Sequence, residues 1–312
     1  MKYIIPCLFL VIVLSQCTKD NPGTPDPAVK NIFSVTPDPG FLLDTLTVST
    51  RTTKEINYGY FFSYDNQNRV SEIKCYQYFF NTPVNLEGTW KFNYQGNGTN
   101  PQSMDQLSYY NYRVYFYYNA NGSKNRDSIA NAADTTLRAV RKYVYDSAFN
   151  FAVVKVYSKG SLRPTLQDSA TFKNYNCTAI YSKQMTWFGN TPYTYEWFDN
   201  HYPQVDNNPN PLSKMNIFPA LFLAPYLKPG YNIHSSMWEG NILMDFAFQN
   251  NPVRFRFYDY ATGGYNYAHV SSGEGVTYDP QKRIIRQDYA DSAGTTYNFR
   301  YTDRFYTTYK YR

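Results

Sequence analysis

Long apolar runs are nearly absent from this 312-residue chain. The one that stands out, Ile4–Leu14, falls well short of the roughly 20 residues that a spanning helix needs. It follows Lys2 and ends in Leu14-Ser15-Gln16-Cys17, which predicts an export signal over residues 1–16. Histidine is scarce too: His201, His234 and His269 stand far apart, none at metal-ligand spacing from another. No metal or other cofactor is expected. The chain has no Gly-x-Ser-x-Gly elbow, His-Glu-x-x-His, phosphate loop or Cys-x-x-Cys, so no catalytic residue is assigned.

Charge is modest and has no long runs. The formal net charge is +6, one less without Lys2, and with an exported location this argues against nucleic acid as a partner. Cysteine is sparse. Cys7 falls in the signal, and the Leu-Ser-Gln-Cys ending resembles a lipobox, so Cys17 is predicted to carry lipid and tie the chain to a membrane. Cys75 and Cys177 remain, and either a bridge or two small buried hydrophobes fits them.

What is abundant is aromatic: 34 Tyr and 22 Phe. Such side chains suit a pleated, half-buried surface. In the stretch from Tyr58 to Tyr76, an aromatic run ends at Tyr64-Asp65. Asn66, Gln67 and Asn68 follow, and Arg69-Val70 restarts an alternating run. Asp65 suits the first position of a turn because its carboxylate can accept backbone N–H groups further along. A hairpin with a short loop is the expectation. The pattern returns at Tyr278-Asp279-Pro280-Gln281-Lys282-Arg283-Ile284, and weaker copies lie at Phe92–Gln95, Phe116–Asn119, Tyr143–Asp146 and Phe172–Asn176. Their aromatic anchors at 64, 94, 118, 145 and 175 are 24 to 30 residues apart, which leaves room for two strands and two turns per step.

Tyr-Asp followed by Arg-Val or Arg-Ile resembles the tyrosine-aspartate (YD) repeat of RHS-type proteins. Over residues 45–312 the chain resembles uncharacterised YD-like repeat lipoproteins of polysaccharide-degrading Gram-negative bacteria. Asn68 and Lys282 stand where that repeat usually has glycine. The resemblance implies an all-β, repeat-built fold and no established activity.

Three parts are therefore expected: the signal, a lipidated and proline-rich tether over 17–41, and one β domain over 42–312. The tether's Pro22, Pro25, Pro27, Pro37 and Pro39 favour extended backbone. The domain is predicted as an antiparallel meander of hairpins forming a large open or rolled sheet. Leu107–Tyr118 is read as one strand, Lys142–Tyr145 as another and Phe305–Tyr311 as a paired terminal strand. Six prolines between His201 and Asn232 argue against central strands, so an insertion is placed at about 201–240. Asn210-Pro211 there reads as a helix cap followed by a first-position proline.

The expected role is an outer-membrane or surface lipoprotein, with the periplasmic face as the alternative location, that binds a glycan or an envelope protein without catalysis. A scaffolding role is the alternative, and a glycan hydrolase using carboxylates such as Glu196, Asp199 or Glu239 is a third reading. Flat rings beside polar groups suit sugars, so Trp197, His201 and Trp238, which bracket the insertion, are the candidate ligand residues. Their alternative is that the tryptophans, with Phe218, Leu221 and Phe222, only plug one end of the sheet. Asp206–Asn210 imitates the start of a calcium loop but lacks its glycine and glutamate, and reads better as an Asx turn.

Overall fold

The Asp65 turn shows how the sheet is assembled. Asp65 Oδ1 accepts the backbone N–H groups of Gln67 and Arg69, both at 2.9 Å, and its Oδ2 accepts Arg69 Nε at 2.7 Å. Arg69 also lies 4.3 Å from the Tyr94 ring centroid, while the Tyr94 hydroxyl donates to Val70 O at 2.6 Å. The second good copy repeats each part. Arg283 N reaches Asp279 Oδ1 at 2.9 Å and Nε reaches Oδ2 at 2.6 Å. Its guanidinium sits 4.4 Å from the Tyr311 ring, and Tyr311 Oη donates to Ile284 O. Asn68 and Lys282 adopt φ 60° and 61°, the left-handed conformation that glycine meets at least cost. In the weaker copy at Asn119–Ser123 the same place is held by Gly122, φ 82°. The turn geometry is thus kept without the glycine.

In this computed structural model, the described residues are 33, 35–50, 56–107, 111–224, 226–227, 248–259, 264–270, 275–292 and 305–312. For 50, 195–204, 254–259, 264–270, 289–292 and 305 only the backbone is described. Cys17 and the signal lie outside these residues.

Strands β1 (Leu43–Thr50), β2 (Ile56–Tyr64), β3 (Val70–Phe79), β4 (Thr82–Asn93), β5 (Ser103–Leu107) and β6 (Tyr112–Tyr118) open the meander. It continues through β7 (Lys124–Asn131), β8 (Leu137–Tyr145), β9 (Phe151–Ser158), β10 (Leu166–Lys173), β11 (Asn176–Phe188) and β12 (Thr191–Pro209). After a helical insertion come β13 (Asn250–Asp259), β14 (Gly264–Val270), β15 (Val276–Tyr278), β16 (Ile284–Ser292) and β17 (Phe305–Tyr311). All 17 belong to one sheet. β1 through β14 pair antiparallel in succession. β14 and β15 share one edge of β16, β16 pairs with β17, and β17 returns to β1, as in Leu46↔Tyr309. The expected meander is therefore rolled until its pairing closes on itself, which removes free sheet edges.

Partner residues share a face, so one side of the roll can be followed from strand to strand. Leu46, Tyr60, Cys75, Ile73, Trp90, Gln106, Met104, Val114, Ile129 and Ala139 lie on the inner side, all buried. Against the inner side packs the insertion. Asn210 caps a 3-10 turn over Pro211–Lys214 by accepting Leu212 N at 3.0 Å, as the Asn-Pro pair predicts. A short helix α1 (Phe218–Leu221) follows, fully buried. Phe222 stacks near Phe172 (5.7 Å) and Tyr145 (6.3 Å), and Phe33 packs against both Phe218 and Phe222.

Four expectations change. β5 and β6 replace the single strand Leu107–Tyr118. β7 was not expected, because its buried positions include Lys124 and Asp127 and so break apolar alternation. β12 runs on to Pro209 through Pro203, with register shifts between His201 and Gln204 and on either side of Val205, so irregular pairing absorbs the missing N–H groups. The insertion accordingly begins at 210. Finally, Phe33, placed in the tether by sequence, is a core residue at 1% exposure.

Candidate functional site

A cluster of ionisable groups lies inside the roll, on β7 and β8. Lys124 Nζ donates to Ala220 O at 2.6 Å, lies 3.4 Å from Asp127 Oδ2 and sits 4.2 Å from the Tyr143 ring centroid. Tyr143 donates to the same Asp127 oxygen at 2.7 Å, and Arg141 stands directly opposite Asp127. Burial pushes the Lys124 ammonium down to about 8, partly offset by the Asp127 charge. Such a lysine and carboxylate would suit proton transfer if substrate could reach them. Lys124 and Asp127 are 0% exposed and Arg141 1%, so the cluster fastens the insertion to the sheet.

Two other sequence candidates are also structural. Asp206 accepts Asn208 N (2.9 Å), Asn251 N (3.1 Å) and Asn251 Nδ2 (3.1 Å), and Tyr278 Oη donates to it as well. Its oxygens are engaged by an Asx turn and by neighbouring segments, as the turn reading anticipates. Cys75 and Cys177 are buried thiols that are not bridged to each other, and burial pushes the Cys75 thiol up to about 12.

The outer side carries the accessible chemistry, arranged in rows across the strands. One row reads Glu72–Lys91–Asp105–Arg113 over β3 to β6, with alternating signs. Arg113 holds Asp105 at 2.5 Å, and Glu72 lies 3.0 Å from Lys74 and 3.9 Å from Lys91. Further round, on the same face, a second row reads Tyr117–Arg126–Lys142–Lys155–Gln167–Lys183 over β6 to β11. It contains four cations and no acid until Glu196 on β12. The flanking rows, Tyr115–Ser128–Val140–Tyr157 and Val144–Val153–Ser169–Tyr181, are uncharged until the second reaches Asp199 on β12, opposite Tyr181. Arg126 lies 3.9 Å from the Tyr117 ring centroid and Lys142 4.9 Å from that of Tyr157. A shallow, open depression of about 740 Å³ adjoins the row, with Gln102, Tyr118, Asn125 and Val144 in its lining.

Of the ligand residues proposed from sequence, Trp197 and His201 lie on β12, with only their backbone described. Pairing with β11 passes from Ser182↔Phe198 to Lys183↔Glu196, so Trp197 occupies a bulge, while His201 pairs with Ala179 and Arg256. Trp238 lies outside the described residues. The described part of the insertion is buried: Leu212, Ile217, Phe218, Leu221, Phe222 and Tyr226 are at most 2% exposed. The cationic row escapes sequence reading because its members are 13 to 28 positions apart, and only the strand register aligns them.

Together these features define a closed, antiparallel, all-β roll with a side-chain-filled interior along the described arc and charged rows outside. No protein-family model matches the chain, and no curated protein matches it. Among solved structures it is similar to a porin-like protein from Bacteroides uniformis ATCC 8492, with TM-score 0.49 and 8% identity, over 89% of this chain and 98% of that one. It is also similar to a porin-like protein from Bacteroides vulgatus ATCC 8482, with TM-score 0.43 and 12% identity, over 87% and 98%.

Proposed function

We propose that this chain is an exported, YD-like repeat lipoprotein, held at the cell envelope by lipid on Cys17, whose β-roll binds a glycan or an envelope protein without catalysis. The observation that carries this reading is the division between the two faces. Groups with catalytic character, such as Lys124, Asp127 and Tyr143, are enclosed, whereas charges and tyrosines on the outer rows face any partner. Among the described residues, what reaches solvent there is a surface of charges and tyrosines beside a shallow depression.

The same outer face bears on how the roll meets a membrane. A lipid-facing barrel needs an outward apolar band, and Lys or Arg at its midplane costs about 2–4 kcal/mol each. Glu72, Lys91, Asp105 and Arg113 form a charged row on that face across β3 to β6. This supports a domain beside the bilayer and attached by its lipid. Cys17→Ser should abolish labelling by a radiolabelled fatty acid and move the protein out of the membrane fraction. Unchanged membrane partitioning would defeat the anchor. Glycan-array binding and capture of envelope proteins by the folded chain test the binding role, and failure of both would defeat it.

A further inference from the structure

Resting on the binding-module reading, we infer that the outer row Arg126–Lys142–Lys155 is a docking track for an acidic polysaccharide, one whose sugars carry carboxylate or sulfate groups. Like charges placed directly opposite on neighbouring strands repel each other. Arg126 faces Lys142, and Lys142 faces Lys155. Over β7 to β9 the adjoining rows, Ser128–Val140–Tyr157 and Val144–Val153, hold no acid that could relieve them, whereas the Glu72–Lys91–Asp105–Arg113 row shows that this same surface pairs its charges elsewhere. A surface that keeps such a repulsion fits a partner that supplies the missing negative charge.

The shape narrows the partner. The cations form a single file about 10 Å long from β7 to β9, taking strands about 4.8 Å apart. Uncharged rows on either side make the track narrow, so it complements one line of anions better than a broad plane of lipid headgroups. Its surroundings favour sugar over other linear polyanions. Tyr115 and Tyr157 offer aromatic faces or hydroxyls within the flanking rows, and Gln102 and Asn125 supply amides at the adjoining depression. The ring contacts at Tyr117 and Tyr157 also hold Arg126 and Lys142 down on the surface, which lowers the ordering cost when a chain binds.

The test is titration of the full chain, with Cys17→Ser for solubility, against polygalacturonate, chondroitin sulfate, neutral dextran, poly-glutamate and vesicles containing phosphatidylglycerol. Binding to at least one acidic polysaccharide is expected, weakening with added salt, with little binding to dextran. The triple variant R126Q/K142Q/K155Q should lose about tenfold or more in affinity for that polymer. K91Q, in the paired row, should change it little. Melting curves accompany each variant, and single R126Q and K142Q variants serve if the triple variant is unfolded. Preference for vesicles or poly-glutamate over the acidic polysaccharides would overturn the proposal. So would polysaccharide binding unaltered by the row variants, though that result would leave the binding-module reading intact. If no glycan binds, this proposal fails, and the binding role then rests on capture of an envelope protein.

Discussion

Strands β7 and β8 carry positive charge on both faces and treat it in opposite ways. Inward, Lys124 and Arg141 are balanced by Asp127, and Tyr143 and the Ala220 carbonyl supply further hydrogen-bond partners. Outward, Arg126 and Lys142 face each other with no acid between them. The inner charges have no water to screen them, so each must be compensated inside the protein for the strands to fold at all. The outer charges are screened by water and salt, so folding tolerates their mismatch and leaves them free for a partner. The inner set is therefore an anchor for the insertion, and the outer set is a surface held in readiness.

The contrast breaks most visibly at Asp127. Asp127→Asn should leave two buried cations without their counter-charge and cost about 3–5 kcal/mol. Arg126→Gln on the other face should stay within about 0.5 kcal/mol. Urea unfolding of both variants makes the comparison, and equal effects would mean that the two faces do not differ as described. Lys124 adds a pH signature. Its folded-state value, about 8, lies below the ordinary lysine value near 10.4. Between those two pH values the unfolded chain binds more protons, so this residue's contribution to stability rises with pH in that window. Lys124→Met should remove that rise, measured as the difference in urea midpoints between pH 8 and 10.

A smaller effect is expected at the repeat turns, whose charges are paired but sit near the surface. Although partial burial opposes it, the Arg69 N–H and guanidinium hold the Asp65 carboxyl below its ordinary range, and Arg283 does the same for Asp279. A depressed carboxylate stabilises the fold above the ordinary value, near pH 4, and that contribution fades as pH falls through the depressed one. Asp65→Ala or Asp279→Ala should each cost about 1–2 kcal/mol at neutral pH through the lost charged hydrogen bonds. Each variant should converge on the wild type in acid. A constant difference across pH would show that the lost contacts, and not the charge, account for the effect.

These turns were the most legible part of the sequence. Asp, Arg and the tyrosine anchors are local signals, and the turn at 65–69 can be inferred from five residues. β7 was hidden because a buried salt bridge replaces the apolar residues that would mark a strand. Closure was hidden for another reason: β1 and β17 lie more than 250 positions apart, and nothing local in either says that Leu46 will pair with Tyr309. Prolines misled at β12, where register shifts let a strand continue through Pro203. The cationic row needed the register of six strands before its members could be seen as neighbours. Trp197 and Trp238 were chosen by type and by their place beside the insertion, and neither side chain is among those described.

The smallest effect is the sharpest test of the outer row itself, since it needs no ligand. If Arg126, Lys142 and Lys155 repel one another across the strands, replacing the middle residue by an acid should turn two unfavourable neighbours into two favourable ones. Cross-strand charge pairs of this kind are worth about 0.2–1 kcal/mol. Lys142→Glu should therefore stabilise the protein by a few tenths of a kcal/mol or more, although most surface substitutions are neutral or harmful. It also loses the Tyr157 ring contact, so Lys142→Gln serves as the reference that loses the contact without adding an acid. The gain of Glu over Gln should shrink as salt rises from 0.05 to 1 M, because the Debye length falls to about 3 Å at the upper end. A Lys91→Glu change in the alternating row should do the opposite, since it sets a new acid between Glu72 and Asp105. If both changes move stability in the same direction, the rows do not differ in electrostatic balance, and the outer row has no uncompensated charge to offer a polyanion.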